Sequence, residues 1–234
     1  MKTLGVRTKF FALAIAVSLL TLGVATQAAP GTATVASVKG AVTGATVGDS
    51  LAAGSVVSTQ SGGEAVLDII GNTVVVTENS ALAIDLLDVE ETGIETVLKV
   101  QLNLTAGRIY GEVKQFSSSL SSFLIKIPKG QVAIDASEGL VIFDVSADGK
   151  VLVGEGSVDI VFDRGTIEPN IVAQNIQANQ QFNPITGGIE SIAPGAIPPI
   201  PPTLVTAVIT PVPPERPFEF FISPVLGGSS SSGE

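Results

Sequence analysis

Leu98-Lys99-Val100-Gln101-Leu102-Asn103-Leu104 decides the fold class. Every second residue is apolar and each residue between is polar, so one face is apolar only if the backbone is extended. On a helix the same apolar positions would scatter around the axis. The segment therefore predicts a strand over Val97–Leu104 with one face against a core.

The same period of two spreads outward through residues 31–192. Before it, candidate strands run over Thr34–Lys39, Ser55–Thr59, Glu64–Ile70, Thr73–Thr77 and Ala81–Asp85. After it come Arg108–Val113, Phe123–Ile127, Gln131–Asp135, Gly139–Val145, Lys150–Val153, Ser157–Phe162 and Asn170–Ala173. Val, Ile and Thr dominate them, and Gly, Asn or Asp separates them. Gly71-Asn72 predicts a tight hairpin and Asp148-Gly149 a type I′ turn. Lys39-Gly40-Ala41-Val42 is echoed by Glu155-Gly156-Ser157-Val158, each predicting a bulge or a corner where a strand turns inward. No convincing amphipathic helix interrupts the series. The expected fold is all-β and mostly antiparallel: a sandwich or roll, or a short β-helix-like stack. Aromatic residues are only 5%, so the core should rest on aliphatic packing and not on ring clusters.

The two ends differ from this body. Lys2, Arg7 and Lys9 precede an apolar run from Phe10 to Val24, and Thr26-Gln27-Ala28 supplies small residues at the −3 and −1 positions. Residues 1–28 read as a signal peptide cleaved after Ala28. A retained anchor is the rival reading, but the run is short and broken by Ser18 and Thr21. No membrane span is expected after cleavage. Residues 193–234 form a Pro-rich linker and Gly/Ser tail, holding ten of the 14 prolines. Such a segment runs as extended polyproline II. Phe218, Phe220 and Phe221 form an apolar cluster within it. Either the apolar spots pack back on the body, the favoured reading, or they dock on another protein.

Composition removes several chemistries. The 234-residue chain has no His, Cys or Trp, one Tyr and one Met. Imidazole base catalysis, thiolate nucleophiles, disulfides and His or Cys metal sites are thereby excluded. With 22 acidic and 12 basic residues the net charge is −10; removing the three leader cations makes it −13. Nucleic acid is not an expected partner, because its phosphates demand Lys and Arg.

Other candidate sites have plainer explanations. Asp85, Asp88, Glu90, Glu91 and Glu95 suit Ca²⁺ by residue type, but their spacing matches no Ca²⁺ loop, so a solvated hairpin tip is expected. Asp135 with Glu138, or Asp144 with Asp159, would be acid–base pairs, without the aromatic-lined cleft such sites use. Ser117-Ser118-Ser119-Leu120-Ser121-Ser122 lacks a catalytic partner and reads as a polar connection between Phe116 and Phe123. Tyr110 is a candidate partner contact, or a half-buried strand residue whose hydroxyl reaches the surface. No cofactor or metal is expected, and no enzyme.

The body resembles a FecR-type domain in its stand-alone secreted form. Val38-Lys39-Gly40-Ala41-Val42, Val47-Gly48-Asp49-Ser50-Leu51 and Gly54-Ser55-Val56-Val57-Ser58-Thr59 open the resemblance. Gly62-Gly63-Glu64-Ala65-Val66-Leu67, Gly71-Asn72-Thr73-Val74-Val75-Val76 and Glu78-Asn79-Ser80-Ala81-Leu82 follow. Leu104-Thr105-Ala106-Gly107, Gly111-Glu112-Val113-Lys114, Phe123-Leu124-Ile125-Lys126-Ile127-Pro128 and Val153-Gly154-Glu155-Gly156-Ser157-Val158 complete it in order. Where the family usually carries an Arg-Gly-Thr turn, this chain has Asp135-Ala136-Ser137-Glu138-Gly139. Only nine residues precede the apolar run, so a complete anti-sigma regulator is not expected.

The resemblance implies the periplasm or cell surface of a Gram-negative bacterium. The leading expectation is a non-enzymatic protein-binding or assembly module of the envelope, engaging an envelope protein or its own copies. A periplasmic sensory module signalling to a separate regulator is the alternative. A glycan-binding domain of the wall or matrix ranks below both, because sugar sites stack aromatics that this chain mostly lacks.

Overall fold

The computed structural model describes residues 29–91, 94–165, 168–193 and 195–202. Residues 1–28, expected as a leader, and everything from residue 203 onward, with Phe218, Phe220 and Phe221, lie outside the described residues. The described residues all belong to one compact unit.

The described strands form two nine-stranded sheets. In order across the first lie β16 (Ile171–Gln177), β15 (Ser157–Asp163), β12 (Gly130–Asp135), β11 (Ser122–Ile127) and β9 (Thr96–Ala106). Then come β8 (Ala81–Glu91), β5 (Val56–Thr59) and β3 (Val42–Thr43), with β1 (Ala29–Pro30) beside β8. The second sheet runs β18 (Gly188–Ser191), β17 (Gln180–Asn183), β14 (Val151–Glu155), β13 (Val141–Ser146) and β10 (Arg108–Val113). It ends with β7 (Asn72–Val76), β6 (Glu64–Ile69), β2 (Ala33–Lys39) and β4 (Ser50–Leu51). Among the described strands all pairing is antiparallel except β9 with β11. Those two can run parallel because the chain visits the second sheet as β10 between them, which supplies the required crossover.

In β9 the alternation does what it predicts: Val100, Leu102 and Leu104 are buried, while Lys99 is exposed. Inward residues of both sheets form one core, including Val74, Val76, Ile109 and Val145 from the second and Leu102, Ile125 and Ile160 from the first. Each such buried aliphatic contributes roughly 1.5–3 kcal/mol relative to exposure. The expectation of a core without ring clusters is corrected in part. Phe123 packs on Phe143 with centroids 6.3 Å apart, and Phe162 on Phe182 at 5.8 Å, each pair joining the two sheets. Such pairs add about 0.5–1.5 kcal/mol beyond area, so aliphatic burial still carries most of the core.

Three of the crossings between the sheets turn on a glycine. Gly40 links β2 to β3, Gly107 links β9 to β10 and Gly156 links β14 to β15, with φ of 67°, 77° and 76°. Each is a left-handed corner that sends the strand from one sheet to the other. The echoed Gly40 and Gly156 phrases are therefore equivalent corners.

Three local expectations are corrected. The hairpin between β6 and β7 turns on Ile70-Gly71, not Gly71-Asn72, since Ile69 pairs with Asn72 and the positive φ values are at Ile70 and Gly71. Asn72 is already strand, and its side chain accepts the Lys114 N–H at 2.9 Å and donates to the Ile69 carbonyl at 3.0 Å. Between β13 and β14 only Gly149 of the Asp148-Gly149 pair is left-handed. The Gly149 N–H donates to the Ser146 carbonyl and the Ser146 N–H to the Lys150 carbonyl. That is a three-residue loop closed by a glycine bulge, not a two-residue type I′ turn.

The third concerns Asp85, Asp88 and Glu90, which belong to an eleven-residue strand, while Glu91 closes the β8–β9 hairpin and Glu95 lies at its tip. A register shift between Ile84 and Leu86 returns Leu87 to the core after the alternation breaks. Asp85 accepts Lys126 Nζ at 3.1 Å, and Asp88 sits opposite Lys99 across the ladder.

Candidate protein-binding surface

Two sheets present four edges among the described strands: β3, β4, β16 and β18. Edge strands expose unpaired N–H and C=O groups, and proteins blunt them by shortening or charging them. β3 and β4 are two residues each. β18 is four, carries Glu190 and includes Gly188; hydrogen bonds from the Asn183 and Gln181 amides hold the Glu190 carboxyl below its usual range. The part of β8 left free by β5 is acidic and partly covered by β1. β16 differs from all of these. Ile171-Val172-Ala173-Gln174-Asn175-Ile176-Gln177 is seven residues long with no charge, no proline and no glycine.

Its entry is tightly built. Asp163 Oδ1 accepts the N–H groups of Asn170 and Gly165, each at 2.8 Å, and these bonds hold its carboxyl below the usual range. The Arg164 N–H donates to the Asn170 carbonyl at 2.9 Å. Register then places the ladder bonds to β15 at Val172, Gln174 and Ile176. The N–H and C=O of Ile171, Ala173 and Asn175 point away from the sheet, and the Gln177 N–H is taken by Gln180 Oε1 at 2.9 Å. Val172, Gln174 and Ile176 turn their side chains inward, whereas Ala173, Asn175 and Ile171, which is 67% exposed, face outward.

The outer face of the second sheet is covered instead. Tyr110, Val66 and Val75 form a small apolar cluster outside the main core, and Ala36, Ile197 and Ile200 pack on it. Residues 195–200 thus lie across β10, β7 and β6 as a strap. A Cβ on Gly154 would stand 3.2 Å from Ile197 Cδ1, so the glycine makes room for that side chain. Strap and sheet enclose a cleft of about 480 Å³ that Glu112, Ile142 and Glu155 also line. The start of the Pro-rich segment therefore packs back on the body. Tyr110 is only 6% exposed and packs under this chain's own strap.

Burial first, and then the field of Glu64, raises the Tyr110 hydroxyl pKa above its usual value. A raised folded pKa adds stability that is complete below the unfolded value of about 10 and is lost as pH rises through the folded one. Tyr110 is the chain's single tyrosine, so phenolate absorbance at 295 nm reports it alone. The midpoint is expected above 10, and Ile197→Ser with Ile200→Ser should move it back toward 10. An unchanged midpoint in that variant would show that the strap does not bury the ring.

Beside Tyr110, Arg108 Nε donates to Asp144 Oδ1 at 2.7 Å, and a second guanidinium nitrogen reaches Oδ2. Asp144 is fully buried, and this hydrogen bond is the main cause raising the Arg108 pKa further. Of the candidate carboxylate pairs, Asp144 and Asp159 are not brought together. Asp144 lies on the outer face of the second sheet, while Asp159 is exposed on the outer face of the first, bonded by Asn175 at 2.7 Å. Asp135 accepts the Ser137 hydroxyl in a local turn. The serine stretch is a connection between the sheets. Ser117 Oγ donates to the Thr96 carbonyl and Ser121 Oγ accepts the Leu98 N–H, which holds the start of β9. Sequence reasoning missed β17, β18 and the edge position of β16, since Gln180-Gln181-Phe182-Asn183 has little strand character by itself.

No protein-family model matches the chain, and no curated protein matches it. Two crystal structures from Parabacteroides distasonis, each described as a candidate anti-sigma factor, are similar to it. Their TM-scores are 0.43 and 0.44, at 15% and 14% identity. Each likeness covers 60% of this chain and 61% of the other, so the chain spans about three fifths of their length. No role is carried over from them.

Proposed function

We propose that this chain is a non-enzymatic secreted protein of the bacterial envelope that binds protein partners by strand addition. The observation that carries the proposal is β16, the one long edge among the described strands without charge, proline or glycine. An extended partner strand laid there would satisfy the outward groups of Ile171, Ala173 and Asn175, main chain supplying affinity and side chains selectivity. Secretion rests on the leader at residues 1–28, and a binding role is supported by the separation of Asp144 from Asp159.

The test is a pull-down from envelope extract with the tagged full chain, in parallel with Ala173→Pro. Proline removes an outward N–H without touching a bond to β15. Retention of one protein by the native chain and its loss with Ala173→Pro, with thermal stability unchanged, is the expected result. Equal retention by both would place the contact elsewhere, and no retention would count against a binding role. A truncation that asks about the tail must stop after Pro202, because ending at Ile192 would uncover Tyr110, Val66 and Val75.

A further inference from the structure

We propose that two copies of this chain join through β16, antiparallel and about a two-fold axis at Ala173, into one continuous sheet. The inference rests on the protein-binding reading above and names its partner. Three residues of β16 have free outward groups, and Ala173 is the middle one, because the Gln177 N–H is already bonded within the chain. A two-fold at Ala173 sets Ala173 against its own copy and Ile171 against Asn175 in both directions, forming about six ladder bonds. It keeps Val172, Gln174 and Ile176 of both copies on the inner side, so pairing turns no inward side chain to the outer face.

Charge favours this occupant. The chain carries a net of −10, so most of its surface repels a second copy. β16 has no ionisable residue, and self-pairing there opposes no carboxylate to another. The assembly also closes. Once β16 is paired, the opposite edge of that sheet offers only the two-residue β3 and the acidic part of β8 that β1 partly covers, so growth stops at two. A seven-residue edge buries less than about 1,200 Å², which places the dimer in the weak class, with dissociation at roughly 10–100 µM.

The experiment is sedimentation equilibrium of the full chain, free of its leader, from about 1 to 300 µM, a span set by that affinity. The average mass should rise from one protomer toward two. Ala173→Lys and Ala173→Glu, both on the exposed outer face, should each weaken association by up to about fivefold by setting like charges opposite each other. Mixed in equal amounts, they should recover association, since Lys then faces Glu. A chain monomeric throughout overturns the proposal, as does association that neither variant weakens. A monomeric chain that still retains a protein through β16 in the pull-down would remove self-pairing and leave the binding role standing.

Discussion

Gly107→Ala is expected to lower the stability of the fold by about 3 kcal/mol or more, a melting decrease on the order of 10 °C for a chain of this size. Two costs combine. The residue has φ of 77°, a left-handed conformation that costs a side-chain-bearing residue about 1–2 kcal/mol. The new Cβ would also stand 2.2 Å from Ser80 Oγ, 2.5 Å from Ser80 Cα and 2.6 Å from the Asn79 carbonyl oxygen. Ser80 has no room to withdraw. Its Oγ accepts the Arg108 N–H at 2.9 Å, and its N–H donates to Thr59 Oγ1 at 2.9 Å. The corner thus joins both sheets through one buried serine. Gly48→Ala separates the two costs, since its φ is 88° and nothing lies within 4 Å of the added methyl. It should lose only about 1 kcal/mol. Thermal unfolding of both variants checks the argument, and equal losses would mean that the contact with Ser80 relaxes at no cost.

Arg108→Met should cost about 3 kcal/mol at neutral pH, because it leaves the fully buried Asp144 carboxylate without its cation. The lower end of the range for broken buried pairs applies, since the Arg108 side chain is 41% exposed and partly screened. The loss measures an orphaned charge more than the worth of the pair. Arg108→Met with Asp144→Leu should therefore recover most of it, as apolar replacements of buried pairs often do. Denaturant unfolding of the two single variants and the double variant gives the coupling directly. A double variant no more stable than Arg108→Met alone would show that Asp144 serves the sheet through something besides Arg108.

How much of this was legible beforehand depended on the range of the interaction. Leu98 to Leu104 and Arg108 to Val113 declare themselves as strands because alternation is carried by adjacent residues. Gly40 and Gly156 declare corners because a left-handed backbone leaves a local residue preference. Ile70 at φ of 52° ran against that preference, so the turn was placed one residue late. The strand through Asp85 to Glu91 was hidden by the bulge at Ile84 and Leu86, which interrupts the period in sequence but not in space.

The candidate surface shows the same division. That a strand begins over Asn170–Ala173 and that Ile171 to Gln177 is uncharged is written in the chain, as are the acidic balance, the absent imidazole and thiol, and the all-β class; the strand's continuation through Gln174 to Gln177 is not. That this strand ends its sheet while β9, equally alternating, lies in the middle was decided by pairing between residues far apart in sequence. Tyr110 makes the point from the other side. Its place on a strand was readable, but its burial comes from Ile197 and Ile200, far along the chain in a segment with no strand pattern of its own. Alternation and turn preference act between neighbours and leave a mark on sequence. Edge position and coverage of a face come from long-range packing, and many sequences satisfy that packing equally well, so only the assembled sheets reveal them.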